Sequence, residues 1–216
     1  AKGPAMSREE AVKAIEVGIG MVADLKEKGY NVLATGEMGI GNTTTSSAVC
    51  SVLLDQSVEK VTGKGAGLTN KDLEHKIEVI RQSIALNKVN ADDPLDVLAK
   101  VGGLDIAGMA GCYIGGAALN IPVFIDGFIS SVAALIAIRL VPECAPYLFP
   151  SHCSNEPAGR MILDAIGKQP YIFANMCLGE GTGAVMGFTI ADYAFKAYWE
   201  LPSFEQTNFG TYEELN

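Results

Sequence analysis

Short apolar runs that pass directly into glycine-rich loops and then into helices recur along this chain. That pattern restricts its fold more than any other feature. The clearest case is Ile121-Pro122-Val123-Phe124-Ile125, which ends in Asp126-Gly127 ahead of a helix over 129–140. Residues 31–34 feed Thr35-Gly36-Glu37-Met38-Gly39-Ile40-Gly41-Asn42-Thr43-Thr44 and a small apolar helix over 46–54. The mostly apolar segment 171–178 feeds Gly179-Glu180-Gly181-Thr182-Gly183 and a long helix from about 184 to 199. Residues 58–62, 147–149 and 168–173 read as further strand-like pieces. Strands that are apolar throughout, each followed by a helix, are buried on both faces and belong to parallel sheets. The expected class is α/β: a mainly parallel, Rossmann-like sheet with helices on both faces, plus a small helical part from the chain ends. The expected division is an N-terminal helix (1–29), an α/β nucleotide-binding core (30–183), and a C-terminal helix and tail (184–216).

Local signals place the other helices. Ser7-Arg8-Glu9-Glu10 has the form of a capping box, and Gly29 follows the helix it opens. Thr69 caps a helix carrying Leu73, Ile77, Ile80 and Ile84, and Asp93-Pro94 opens another. Gly102-Gly103 precedes an Ala- and Gly-rich helix over 104–119 suited to close packing. At 216 residues, 49% hydrophobic and 19% charged, the chain can bury a substantial core.

Composition also removes function classes. The net charge of −9, with no basic stripe against it, excludes nucleic acid as a partner. The apolar region 117–141 is broken by Asn120, Pro122, Asp126 and Gly127, which excludes a simple membrane span. No signal peptide is visible in the polar residues 1–10. The five cysteines lack a C-x-x-C pair, and only His75 and His152 accompany them, so neither zinc nor a disulfide framework is expected. They read as reduced thiols of a cytoplasmic protein. No metal or cofactor is called for.

Loops leaving the C-terminal ends of parallel strands line the ligand crevice. On this reading the loops carrying Glu37, Lys64, Asp126, Ser154 and Glu180 converge. The 36–44 loop resembles an anion cradle: glycines for unusual dihedrals, hydroxyl donors, and a helix N-terminus behind them. It lacks the Gly-Lys-Ser/Thr of a Walker loop, and the plainer alternative is a turn whose threonines cap a helix. Gly63-Lys64-Gly65-Ala66-Gly67 is either a second cradle or a flexible turn. Glu180, between glycines, either faces a ligand or decorates the first turn of a helix. Lys76, beside Leu73, Ile77 and Ile80, is expected to snorkel to solvent. Asp105 and Asp126, in apolar surroundings, need partners. Tyr193, Tyr198 and Trp199 suit a core or an interface.

The 35–44 and 178–183 segments together resemble nicotinate-nucleotide–dimethylbenzimidazole phosphoribosyltransferase, which makes the lower nucleotide of cobamides. Residues 122–128 and Ser151-His152-Cys153-Ser154-Asn155-Glu156-Pro157 are similar to two further family segments in the family's order. The resemblance covers essentially the whole chain. It implies transfer of the 5-phosphoribosyl group from nicotinate mononucleotide to 5,6-dimethylbenzimidazole or a related base, giving α-ribazole 5′-phosphate and nicotinate. Glu180 is the implied general base, and a carboxylate held among apolar groups suits that task. Glu37 and Lys76 are implied near the reacting sugar and base. Gly39, Gly41, Asn42, Thr43 and Thr44, with Gly63, Lys64 and Gly65, would hold the phosphate. Asp126, Ser154, Leu178 and Gly179 would line the nucleotide site.

Two departures from the family pattern bear on this. Family members carry a domain-sized stretch ahead of the segment that begins here, which supplies part of the base pocket. Many also have an arginine where this chain has Cys177. The expected partners are the two small substrates and a second copy of the chain in a homodimer. The alternative function is a non-catalytic nucleotide-binding fragment or pseudoenzyme.

Overall fold

The structure is a computed structural model, and it describes residues 1–207. The elements in chain order are α1 (Arg8–Glu27), β1 (Leu33–Ala34), α2 (Thr43–Leu53), α3 (Val58–Val61), α4 (Asn70–Asn87), α5 (Pro94–Val101) and α6 (Leu104–Ala118). After these come β2 (Val123–Ile125), α7 (Phe128–Leu140), a 3-10 turn (Pro142–Tyr147), β3 (Leu148–Pro150), α8 (Gly159–Ala165) and α9 (Thr182–Glu200). The three strands form one parallel sheet in the order β1-β2-β3, with Ala34 opposite Phe124 and Phe124 opposite Phe149. Both crossovers run through helices, as parallel strands require.

The central strand β2 explains the layering. Val123 and Ile125 point into the main core with α6 and α7, while Phe124 points the other way. There it meets Phe188 of α9 edge-on at 4.8 Å, with Phe149 stacked at 5.6 Å. Gly187 lets α9 approach, because a Cβ there would press on the Phe124 ring and on Ser151. Helix α7 is buried continuously from Phe128 to Ala137, as its uniformly apolar sequence demands. On the outer side α1 packs against α6 through glycines on both helices. A Cβ at Gly18 would overlap the Gly108 carbonyl, and one at Gly111 would overlap the Ile15 carbonyl.

The capping expectations are met in detail. Ser7 and Glu10 exchange backbone–side-chain bonds, Thr69 accepts from the Asp72 amide, and Asp93 accepts from Leu95 and Asp96. The strand expectations are met only in part. Residues 58–62 are the helical turn α3, because Val58 and Val61, three apart, both point inward and the Thr62 hydroxyl donates back to the Val58 carbonyl. Residues 168–173 contribute only the isolated parallel bridge Ile172–His152, and Pro170 has no amide to extend it. The 171–178 segment is not a strand. Asn175 takes a left-handed conformation in its middle, and Phe173, Cys177 and Leu178 are exposed.

Candidate active site

The C-terminal ends of β1, β2 and β3 release the loops that begin at Thr35, Asp126 and Ser151, and the start of α9 lies against all three. Thr35 anchors the first loop: its hydroxyl lies 2.6 Å from that of Tyr113, which donates to the Ser130 carbonyl of α7. The loop then runs beside the α9 entry without clearance, since a Cβ on Gly36 would collide with Gly181. Across this contact the Glu180 amide donates to the Glu37 carbonyl at 2.8 Å. The Glu37 carboxylate turns back to accept the Gly39 amide at 2.7 Å.

Asp126 is 1% exposed and binds the same entry from below. One carboxylate oxygen accepts the Gly181 amide at 3.0 Å. The other accepts those of Gly183 and Ala184 at 2.8 and 3.3 Å. It therefore caps α9 from 57 residues away, a charge-assisted use of the free amides at a helix N-terminus. The His152 ring packs on the same turn, 3.9 Å from Asp126 and 3.1 Å from the Ser151 hydroxyl. Burial holds the His152 pKa below its ordinary value, against the opposing pull of Asp126. The geometry gives Gly179, Glu180 and Gly181 three successive positive φ angles, of 77°, 58° and 80°. Glycine adopts these freely; Glu180 does so at a cost.

Between these loops and the 63–67 turn lies a cavity lined by Glu37, Gly39, Thr43, Gly65, Asp126 and Ser154, with Leu178 and Gly179 on its far wall. Behind Thr43, outside the lining itself, sits a lysine. Lys76 is 7% exposed, and its ammonium donates to the Thr43 hydroxyl at 2.9 Å and the Gly63 carbonyl at 3.0 Å. The expectation that Lys76 snorkels to solvent is overturned, because the start of α2 and the turn at Gly63 offer it acceptors. Burial lowers its pKa, and the charge of nearby Glu156 works the other way. Glu156, also in the lining, has its pKa raised by burial, with Lys76 opposing.

Other expected residues stand apart from the cavity. Lys64 is exposed and Gly63 contributes only its carbonyl. Gly41 lies outside the lining. Asn42 turns its amide to Asp105 at 2.7 Å, and Thr44 faces a separate cleft near Ala1 and Lys100. Glu180 is exposed and outside the lining, next to Gly179 which belongs to it, so the described residues do not supply the apolar enclosure expected for it. Sequence reasoning missed His152, Glu156 and Phe128, which lie within segments recognised only as wholes, and Ile129, which read as ordinary helix. All five cysteines are free, and burial pushes Cys50 up to about 12 and Cys144 up to about 11, which removes them as nucleophiles. Among the described residues no cluster suited to a metal ion occurs, and no helix is long and apolar enough to cross a membrane.

Fold and site together define an α/β protein with a cavity at the C-terminal ends of parallel strands, lined by the carboxylates of Glu37, Asp126 and Glu156 and backed by a buried lysine. The family model described as phosphoribosyltransferase (DBI_PRT) matches residues 1–209, and the chain belongs to that family. It is 55% identical over 214 residues to the nicotinate-nucleotide–dimethylbenzimidazole phosphoribosyltransferase of Ruminiclostridium cellulolyticum, covering 99% of this chain and 61% of that protein. The enzyme of the same name from Acetivibrio thermocellus is 52% identical over 213 residues, again covering 99% and 61%. The crystal structure of CobT from Thermus thermophilus superposes with a TM-score of 0.90 at 34% identity, covering 96% of this chain and 62% of that one. The chain thus spans about three-fifths of the length of these relatives.

Proposed function

We propose that the chain carries the nucleotide-binding and proton-accepting part of a site that moves a 5-phosphoribosyl group from nicotinate mononucleotide to 5,6-dimethylbenzimidazole or a related base. The products are α-ribazole 5′-phosphate and nicotinate. A free nitrogen of the acceptor forms the new bond to C1′ as the bond to nicotinate breaks. The bonding pair returns to the pyridine ring, which departs without needing a metal. The acceptor's other nitrogen loses its proton to Glu180. Lys76, Thr43 and the Gly65 backbone suit the phosphate, while Asp126, Ser154, Leu178 and Gly179 suit the nucleotide. The observation that supports this reading best is the seam joining Glu180 to Glu37. It holds the Glu180 backbone against Glu37, which lines a cavity whose Thr43 accepts a hydrogen bond from the buried Lys76. We also propose that the chain works in the cytoplasm, where its five free thiols stay reduced, and as a homodimer.

The test pairs calorimetry with turnover. Nicotinate mononucleotide should bind without added metal, and Lys76→Met should abolish that binding. Glu180→Gln should leave binding unchanged and slow turnover roughly a hundredfold, the usual scale for a general base. Parental turnover by Glu180→Gln removes Glu180 from the mechanism. Binding with no turnover by the parental chain, even with a relative's preceding segment supplied, leaves a nucleotide-binding module.

A further inference from the structure

The carboxylate of Glu156 occupies a position that the reading above reserves for an anion. It lies against the α-carbon of Gly63 closely enough that any Cβ there would overlap Oε2. Burial pushes its pKa up, while the charge of Lys76 and the Gly65 backbone work the other way. It lines the same cavity as Gly39, Thr43 and Gly65. Lys76 donates to two neutral oxygens, and the carboxylate whose charge bears on it is that of Glu156. A lysine this deeply buried needs a nearby negative charge or loses its own. Glu156 is also free to leave. It follows Ser154 in a loop, is only partly buried, and is tied to that loop through its own amide, which donates to the Ser154 hydroxyl at 3.3 Å.

We propose that Glu156 is a place-holding anion: its carboxylate sits on the Gly63–Gly65 cradle beside Lys76 in the unliganded protein and is displaced by the phosphate of the nucleotide. This rests on the phosphate-cradle reading and deepens it. The side chain keeps the buried lysine charged and the turn ordered in the empty state. In return it opposes every incoming anion, so weakly held inorganic anions are rejected. A nucleotide, with further contacts from its sugar and base, overcomes that opposition.

The experiment is calorimetric titration of the chain and of Glu156→Gln with inorganic phosphate, and separately with sulfate, at fixed pH and ionic strength. Glu156→Gln keeps the shape and removes the charge, so both anions should bind about tenfold more tightly than to the parental chain. Glu156→Asp, one methylene shorter, should draw the charge back from Gly63 and give a smaller gain. It also serves as the test should the glutamine variant fail to fold. Equal or weaker anion binding by these variants overturns the proposal and makes Glu156 a support for the loop. If parental binding of nicotinate mononucleotide is also insensitive to Lys76→Met, the cradle reading falls as well. Lost sensitivity at Glu156 with retained sensitivity at Lys76 removes only the place-holder.

Discussion

At the scale of single residues, the site is made of side chains whose roles come from partners far away in sequence. Lys76 reads as a surface lysine on its own helix. It becomes a buried support behind the cavity because Thr43 and Gly63, 33 and 13 residues away, present oxygens to it. Asp126 was legible as a buried carboxylate needing partners, but that the partners would be the amides of α9 was not. Glu180 was legible as an acid between glycines, whereas its left-handed backbone, with φ of 58°, emerges only once the loops are joined. That conformation yields a prediction in which side-chain chemistry cancels. Glu180→Ala and Glu180→Gly remove the same carboxylate, but only alanine retains a Cβ in the left-handed region. The glycine variant should be more stable than the alanine variant by about 1 kcal/mol. For a chain of this size that corresponds to roughly 2–4 °C in thermal midpoint. Equal midpoints would mean that this turn is relaxed and that the glutamate is held there without strain.

Elements were legible where their own sequence carries the cause. Helices α1, α4 and α5 begin at caps that a reader of the chain can name, and α7 is apolar on every face because every face is covered. Strands were less legible, because a strand exists only when a neighbour accepts it. Residues 168–173 have a suitable composition but pair only through Ile172. The two valines of α3 fit a strand or a helical turn equally until their common burial is seen. The Gly- and Ala-rich α6 was read as a close-packing helix, and its contact with α1 turns that into paired outcomes of opposite sign. Gly111→Ala places a methyl group on the Ile15 carbonyl and must push the helices apart. Overpacking costs about 1–3 kcal/mol, more than alanine returns in helix propensity. Gly20→Ala, exposed in the middle of α1 with open space around it, should instead stabilise by about 0.5–1 kcal/mol. Chemical denaturation of the two variants checks both signs. Stabilisation by Gly111→Ala would show that the helices are not in contact at this crossing.

At the scale of the whole molecule, the two sides of the sheet are treated unequally. The α6–α7 side is covered by further helices, while among the described residues α9 is the one helix packed on the Phe124 side, and much of the surface around it is apolar. Met186, Ile190 and Tyr193 form an exposed stripe at helical spacing, Phe195 and Trp199 are exposed on another face of the same helix, and a groove lined by Val32, Pro122, Phe149 and Tyr171 runs along Ile190 and Phe195. Large apolar side chains exposed in this number on one helix mark a contact. A second copy presenting the same stripe across a two-fold axis would cover it with like against like, apolar on apolar. Sedimentation equilibrium should then give a mass near twice 22.7 kDa for the parental chain. Tyr193→Lys combined with Trp199→Lys should shift it to the monomer, with little change in nucleotide binding because neither side chain touches the cavity. A parental chain that sediments as a monomer at high micromolar concentration would overturn the dimer. The stripe would then be a seat for a different polypeptide, and the segment by which the relatives exceed this chain would be the first to supply in the same cell.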